Sequence, residues 1–310
     1  MIGEKEKKTP VMKYVLVFSV AFVQVFFLLG ISMAGQGAYD NAADGSEDVI
    51  GTSAAKTSPA VKPDTAEKRA APVPQAIVVD DQSYENGPII NSTGTGVGGA
   101  DESVLKNLTL SMGTLGYACD MAEEFRVADD FTVENRLKIE KISVYAYQVG
   151  APVSPASISS INMRIWDGPP SEAESAIVWG DDTTNRMESA KWYEAYRVTE
   201  SKSGTSDERA IVEVLAKVET EVDPGTYWID YQISGEQSYS EAWCLPIAAS
   251  QEITTGNALH YFGVGETTGW RSLDDQGTDT SQGLSFKINP KPVYPLPLMV
   301  PPVIGPNSVR

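Results

Sequence analysis

The strongest constraint on the fold of this chain is a two-residue alternation of apolar and more polar side chains, which recurs between residues 76 and 289. Residues 142–147 show it clearly, and residues 161–166 and 227–231 repeat it. Successive side chains of a β-strand point to opposite faces, so this period indicates strands with one face turned to a core. Turns rich in Gly, Pro and Asp separate the alternating runs.

Many short strands joined by such turns predict an all-β fold, namely an antiparallel β-sandwich of jelly-roll-like topology. The body at residues 76–289 has a length that suits one β domain. Apolar residues at helical spacing occur only in short runs, so we expect at most one short helix, at residues 102–108.

The N-terminal residues 1–34 have the parts of a secretory signal peptide. Lysines dominate the charge of residues 1–13, an apolar run covers 14–31, and small residues stand at Ser32 and Ala34. At about 1.5 Å per residue the run nearly crosses a bilayer core of about 30 Å, so an uncleaved signal anchor is the alternative. Both predict a secreted, cell-envelope or extracellular-surface location, with membrane contact only through this segment if it stays uncleaved.

Two further segments lack the composition of a folded domain. Residues 35–75 contain few large apolar side chains, which predicts a disordered linker. Residues 290–310 are rich in proline, which predicts an extended tail. The tail is either simply solvated or a recognition arm.

Charge and composition exclude several functions. The chain has 24 Lys and Arg against 42 Asp and Glu, a net charge of −18, so nucleic acid is not an expected partner. A single histidine limits triad and zinc chemistry, and His260 lies in a strand-like segment that favours a structural role. The G-x-G-x-x-G match at residues 94–99 lacks the βαβ rhythm of a dinucleotide site. We therefore predict no enzyme and no catalytic residue, although carboxylates numerous enough for a glycosidase pair remain.

Several short motifs occur in a characteristic order. They are ADDFTV at 128–133, RIWDGP at 164–169, VWGD at 178–181, GTYW at 225–228 and GNA at 256–258. In this order they resemble an exported bacterial β-sandwich module of secreted and cell-surface proteins. The resemblance covers residues 128–288 and implies fold and compartment, with no activity and no catalytic residues to transfer.

Cys119 and Cys244 are the two cysteines of the chain. In an exported protein such a pair predicts one disulfide, here across a long loop. Two buried free thiols are the alternative.

Paired aspartates beside turns make structural calcium a candidate cofactor, since extracellular sandwiches often bind Ca²⁺ through carboxylates and loop carbonyls. A solvated acidic turn is the alternative. The candidate ligands are Asp129, Asp130, Asp181, Asp182, Asp274 and Asp275.

Aromatic side chains are the candidate ligand contacts. Four of them alternate with small apolar residues, so their rings point outward if the small residues face the core; the alternative is that the rings form the core. Rings with a polar edge suit sugars and partner proteins. The candidates are Tyr145, Tyr147, Trp166, Trp192, Trp228 and Trp270.

These observations predict an exported, non-enzymatic β-sandwich that serves as an extracellular or cell-surface adhesion or ligand-binding module, with a glycan or a surface protein as partner. A carbohydrate-binding accessory domain or glycoside-active enzyme is one alternative. A structural protein of the cell envelope is another.

Overall fold

The computed structural model describes residues 38–42, 77–78, 83–263 and 268–290. The predicted signal peptide or anchor, most of the predicted linker and nearly all of the predicted tail lie outside these residues. Within the described ranges, no helix is long and apolar enough to cross a membrane.

The described residues form eighteen strands and two short 3₁₀ turns, at Val97–Gly99 and Glu200–Lys202. The strands are β1 (Tyr39–Asn41), β2 (Ile77–Val78), β3 (Tyr84–Glu85), β4 (Asp101–Leu105), β5 (Thr114–Ala118), β6 (Phe125–Val133), β7 (Leu137–Tyr147), β8 (Ile158–Trp166), β9 (Ile177–Asp181), β10 (Met187–Thr199), β11 (Ala210–Val222), β12 (Gly225–Gly235), β13 (Trp243–Cys244), β14 (Leu259–Phe262), β15 (Gly269–Ser272), β16 (Asp274–Asp275), β17 (Thr280–Ser281) and β18 (Phe286–Pro290).

Two large sheets contain most of these strands. The larger sheet has the order β1-β5-β13-β7-β11-β10-β4, with β18 paired to β7 and β3 paired to β18. The smaller sheet has the order β15-β14-β6-β12-β8-β9, with β2 beside β6. Pairing is antiparallel except between β4 and β10 and between β2 and β6. The chain passes repeatedly between the two sheets, at β5–β6, β6–β7, β7–β8, β9–β10, β11–β12, β12–β13 and β13–β14 among other places. The predicted all-β antiparallel sandwich is confirmed.

The small apolar side chains face each other between the sheets. Ile142 and Val144 of β7 are fully buried, as are Ile165 of β8 and Ile229 of β12, and all four belong to one core cluster. Each such side chain contributes roughly 1.5–3 kcal/mol when buried. The face predicted to carry the core is therefore the one that does.

The opposite face of β7 is also covered. Tyr145 and Tyr147 point away from the main core, but they pack in a second cluster with Ile211, Trp243 and Leu245. Both rings point away from the main core, as one of the two alternatives predicts. They are nevertheless buried, because a second layer of side chains lies over this side of the sheet.

The short helix predicted at residues 102–108 is wrong. Residues 101–105 form β4, which runs parallel to β10. The side-chain amide of Asn91 donates to Val104 O (2.9 Å) and accepts from Val104 N (2.8 Å). These long-range hydrogen bonds and the burial of Val104 and Leu105 outweigh the local pattern.

Residues 38–42 depart from the predicted disordered linker. Tyr39–Asn41 form β1, which pairs antiparallel with β5 at the edge of the larger sheet. The local composition is polar, but two side chains of this segment contact the rest of the fold. The Tyr39 ring packs against Tyr117, and the Asp40 carboxylate accepts a hydrogen bond from Arg209.

The predicted disulfide is confirmed. Cys119 and Cys244 are bonded, with their Cα atoms 6.0 Å apart and 125 residues between them in sequence. Both cysteines are fully buried. The bridge joins β13 to the residue that follows β5.

We expect the double substitution Cys119→Ala/Cys244→Ala to lower the free energy of unfolding by about 3–5 kcal/mol, because the bond closes a long loop in the unfolded chain. Urea denaturation of both proteins, with the wild type also measured under reducing conditions, tests this. A loss below about 1 kcal/mol contradicts it.

Candidate functional site

A cavity of about 500 Å³ opens between the turn at residues 85–88 and the loop at residues 247–257, with Asp129 of β6 at its floor. We call these residues the Asp129 groove. Its volume falls in the range of small-molecule binding sites, about 300–1,000 Å³.

Hydrogen bonds to three parts of the chain hold Asp129 in place. Its Oδ2 accepts from Asn86 Nδ2 and from Leu284 N, each at 2.8 Å. Its Oδ1 accepts from the main-chain N–H of Asp130 at 2.9 Å. The Asp129 carboxyl therefore connects β6 of the smaller sheet to the turn after β3 and to the residues just before β18. Both β3 and β18 belong to the larger sheet.

Burial raises the pKa of Asp129 well above its usual range, and the neighbouring Asp130 carboxylate raises it further. The N–H donors of Leu284, Asp130 and Asn86 act in the opposite direction without cancelling the rise. Because both carboxyl oxygens are already hydrogen-bonded, Asp129 serves to build the floor of the groove.

The walls of the groove are fixed by main-chain contacts. Ala248 N donates to Pro88 O at 2.8 Å, which ties the loop to the turn. Gly87 has φ +72°, and a Cβ there would stand 2.6 Å from the Ile247 side chain. Glycine is therefore required at the tip of the turn, both for its left-handed backbone and for the close approach of Ile247.

The groove combines polar side chains with apolar surface, and no positively charged side chain is among its described lining residues. Its acidic members are Asp129 at the floor and the exposed Glu85 and Glu252. Such a surface offers many donors and acceptors to a neutral ligand and repels an anion. The amide and hydroxyl side chains are Asn86, Ser250, Gln251, Thr254, Thr255 and Asn257.

A smaller cavity of about 190 Å³ adjoins the groove and shares Glu85, Gly87 and Pro88 with it. Tyr145 and Tyr193 line it, with their rings edge to face at 5.0 Å between centroids. Of the six predicted ligand-binding aromatics, Tyr145 is thus the one beside the groove, although only 6% of it is exposed.

Two other predicted ligand contacts are buried. Tyr147 is fully buried, and its hydroxyl donates to Asp40 at 2.9 Å. Trp228 is 5% exposed on β12, paired with Trp166 of β8. Neither ring is accessible to a ligand in this structure, which agrees with the alternative that these rings are buried; ligand contact by either ring stays a prediction.

The remaining three predicted rings are half-buried and lie outside the groove lining. Trp166 donates its indole N–H to the buried Asp230 at 3.0 Å, and the Arg164 guanidinium lies 5.2 Å from its ring centroid. Trp270 packs against a tyrosine of β14. Trp192 donates to a main-chain carbonyl within its own strand.

The predicted calcium ligands fall in three separate places. Asp129 and Asp130 lie on β6, Asp181 ends β9 with Asp182 directly after it, and Asp274 and Asp275 form β16. No group of three or more His, Cys, Asp or Glu side chains that is arranged to hold a metal occurs in the described ranges. Calcium binding stays a prediction.

The aspartates outside the groove accept hydrogen bonds from the chain itself. Asp181 accepts from the main-chain N–H groups of Thr184 and Thr183, which lower its pKa. Asp275 accepts from Gly113 N and Thr114 N and so connects β16 to the start of β5. Asp182 forms an ion pair with Arg164.

His260 is buried in an aromatic cluster. Its Nε2 donates to Ala118 O at 2.8 Å, and its Nδ1 has no hydrogen-bond partner. Burial lowers the pKa of His260 to about 4, so the ring is neutral at physiological pH. The rings around it belong to Tyr39, Tyr117, Phe125 and Phe262.

Comparison with known proteins adds no relative: no family model, no curated protein and no solved structure matches the chain. The resemblance to exported sandwich modules therefore stays an expectation from the motifs.

Sequence reasoning named Asp129 only as a candidate calcium ligand and missed the residues that complete the groove. Asn86 and Leu284 stand 43 and 155 residues away from Asp129 in sequence. The Asn86-Gly87-Pro88 tripeptide is a turn signal, and it is the feature that marks one wall.

The raised pKa of Asp129 predicts a pH dependence of stability. The Asp129 carboxyl binds its proton more tightly in the folded chain than in the unfolded chain, where the pKa of an aspartate is about 3.9. The protonated carboxyl therefore stabilises the fold fully below about pH 3.9, and this contribution is lost as the pH rises through the folded-state pKa. Relative to Asp129→Asn, the wild type should therefore lose free energy of unfolding as the pH rises from about 4. Denaturation of both proteins across that range measures the difference, and a difference that grows with pH would contradict the assignment.

His260 predicts the opposite slope. Its folded pKa of about 4 lies below the ordinary 6.5, so stability is full above pH 6.5 and falls as the pH drops toward 4. The total corresponds to about 3 kcal/mol. His260→Gln, which retains a donor for Ala118 O, should remove this slope; an unchanged slope in the variant argues against it.

Proposed function

We propose that the protein is an exported, non-enzymatic binding module of the cell surface or exterior, and that the Asp129 groove binds a neutral, hydroxyl-rich ligand of the saccharide class. The observation that carries the proposal is the groove itself. It combines a volume of about 500 Å³ with amide, hydroxyl and carboxyl groups that converge from two separate parts of the chain.

The charge of the groove favours a neutral ligand. Glu252 contributes an acceptor at its rim, and so does Glu85, whose Oε1 also accepts from Lys287 Nζ at 3.0 Å; both glutamates are exposed to solvent. Saccharide hydroxyls donate to carboxylates and accept from amides, so both kinds of side chain find partners. Ile247, Ala248 and Ala249 give the apolar part of the wall, which suits the C–H faces of a sugar ring.

The role of Asp129 favours binding over catalysis. A general acid has to present its proton to the substrate. Both oxygens of Asp129 face N–H donors of the chain, and only 1% of the residue is exposed. The residue therefore shapes the site, and the groups on the rim contact the ligand.

Export is supported by the N-terminal basic and apolar pattern and by the disulfide, since such bonds persist in oxidising compartments. The acidic charge of the chain suits a soluble, exposed domain.

A glycan array probed with the purified protein tests the proposal. We expect binding to a subset of neutral saccharides, weakened more than about tenfold by Gln251→Ala/Asn257→Ala, because both exposed amides lie on the rim. Glu252→Gln should retain most of the affinity for a neutral ligand, since the amide still accepts a hydrogen bond.

Glu174→Ala is the matched control, because Glu174 is exposed on a loop outside the groove. Loss of binding in Trp166→Ala or Trp270→Ala, with Gln251→Ala/Asn257→Ala unaffected, would place the site on the aromatic surfaces instead. Absence of binding to every saccharide on the array contradicts the proposed ligand class.

A further inference from the structure

β1 fills a docking site on the edge of β5 that is separate from the Asp129 groove. Tyr39, Asp40 and Asn41 pair with Tyr117, Gly116 and Thr114. The pairing continues on both sides, because Ala118 N donates to Ala38 O (3.0 Å) and Ala42 N donates to Gly113 O (2.9 Å). This is strand addition to an exposed sheet edge, in which main-chain hydrogen bonds supply affinity and side-chain pockets supply specificity.

The first pocket recognises a carboxylate. Asp40 accepts from Arg209 Nε at 2.6 Å and Nη2 at 3.2 Å, and from the Tyr147 hydroxyl at 2.9 Å. The carboxylate is mostly buried, with 12% of its side chain exposed. A bidentate arginine and a buried hydroxyl make this pocket specific for a carboxylate.

Gly116 makes the carboxylate pocket possible. It is the residue of β5 that pairs with Asp40, and a Cβ at this position would collide with the Tyr147 hydroxyl. The glycine therefore lets the buried tyrosine reach Asp40 across the face of the sheet.

The second pocket recognises an aromatic ring. Tyr39 packs edge-on against Tyr117 at 5.8 Å and against His260 at 5.7 Å, and Phe262 lies at 6.4 Å. These partners come from both sheets. Ala42 packs separately beside Leu105, Met112 and Leu115. Together the two pockets are complementary to a short segment in which an aromatic residue is followed by an acidic one.

The link between β1 and the rest of the fold does not restrict the segment to its own chain. Thirty-four residues separate Ala42 from Ile77. Such a length of chain spans at most about 120 Å when extended. The pockets contact only the side chains and main chain of the segment. An identical segment from another molecule therefore makes the same contacts.

We propose that the β5 edge is a strand-docking site that accepts residues 38–42 from a second copy of this chain. Reciprocal exchange between two copies gives a two-fold symmetric dimer in which each β1 lies on the other molecule. In dilute solution the tethered segment competes with the second copy, so exchange rises with protein concentration.

Two full-length variants with different affinity tags test the proposal. Tyr39→Ala/Asp40→Ala lacks a competent segment but keeps the pockets. Arg209→Gln weakens the carboxylate pocket but keeps the segment, which its own body then no longer holds well. We expect capture of the first variant to retain the second at more than about ten times the amount seen when both chains carry Tyr39→Ala/Asp40→Ala.

Lys202→Gln is the matched control for Arg209→Gln, because it removes the same charge from an exposed residue on a 3₁₀ turn. Its intact pocket competes for its own segment, so less of it should be retained than of Arg209→Gln. Cooperative thermal unfolding of each variant shows that the chains are folded. Retention of Arg209→Gln at the background level, with both chains folded, overturns the proposal.

A synthetic peptide of residues 36–43 gives a second measurement. It should bind the Tyr39→Ala/Asp40→Ala chain, and the peptide with Asp40→Asn should bind it at least about tenfold more weakly. Equal binding of the two peptides, or no binding of either, would show that the pockets do not recognise the segment and would also overturn the proposal.

Discussion

Burial of the small apolar side chains between the two sheets determines which side chains of each strand point away from the core. On β7 the core takes Ile142 and Val144, which directs Tyr145 and Tyr147 to the opposite face. That face is covered in turn by a second cluster, and both the groove and the β5 edge adjoin it.

Buried carboxyl groups add polar connections between segments that also pack against the apolar core. Asp129 joins β6 to the segments on either side of the groove, and Asp275 connects β16 to β5. Asp40 does the same for β1 through Arg209. In each case a buried carboxyl accepts several N–H donors from segments distant in sequence, which offsets part of the cost of removing it from water.

The alternation in the sequence was sufficient to predict the sandwich and the inward face of β7, because period two is a local signal. The disulfide could be predicted from two cysteines in a chain whose N-terminal pattern predicts export. The helix predicted at residues 102–108 failed because Asn91 supplies hydrogen bonds that local pattern cannot reveal. The groove was missed for the same reason: Leu284 meets Asp129 only through the fold. The burial of Trp228 and Tyr147 likewise depends on neighbours from other strands.

We propose that the Asp129 groove, and not the aromatic surface, binds the ligand. An amide-detected NMR titration of the protein with a neutral saccharide that binds on the array tests this most directly. The account predicts shifts for the main-chain signals of Gly87 and of residues 248–257, with the indole N–H signals of Trp166 and Trp270 unmoved. Shifts confined to those indole signals, with the groove signals unmoved, would contradict it.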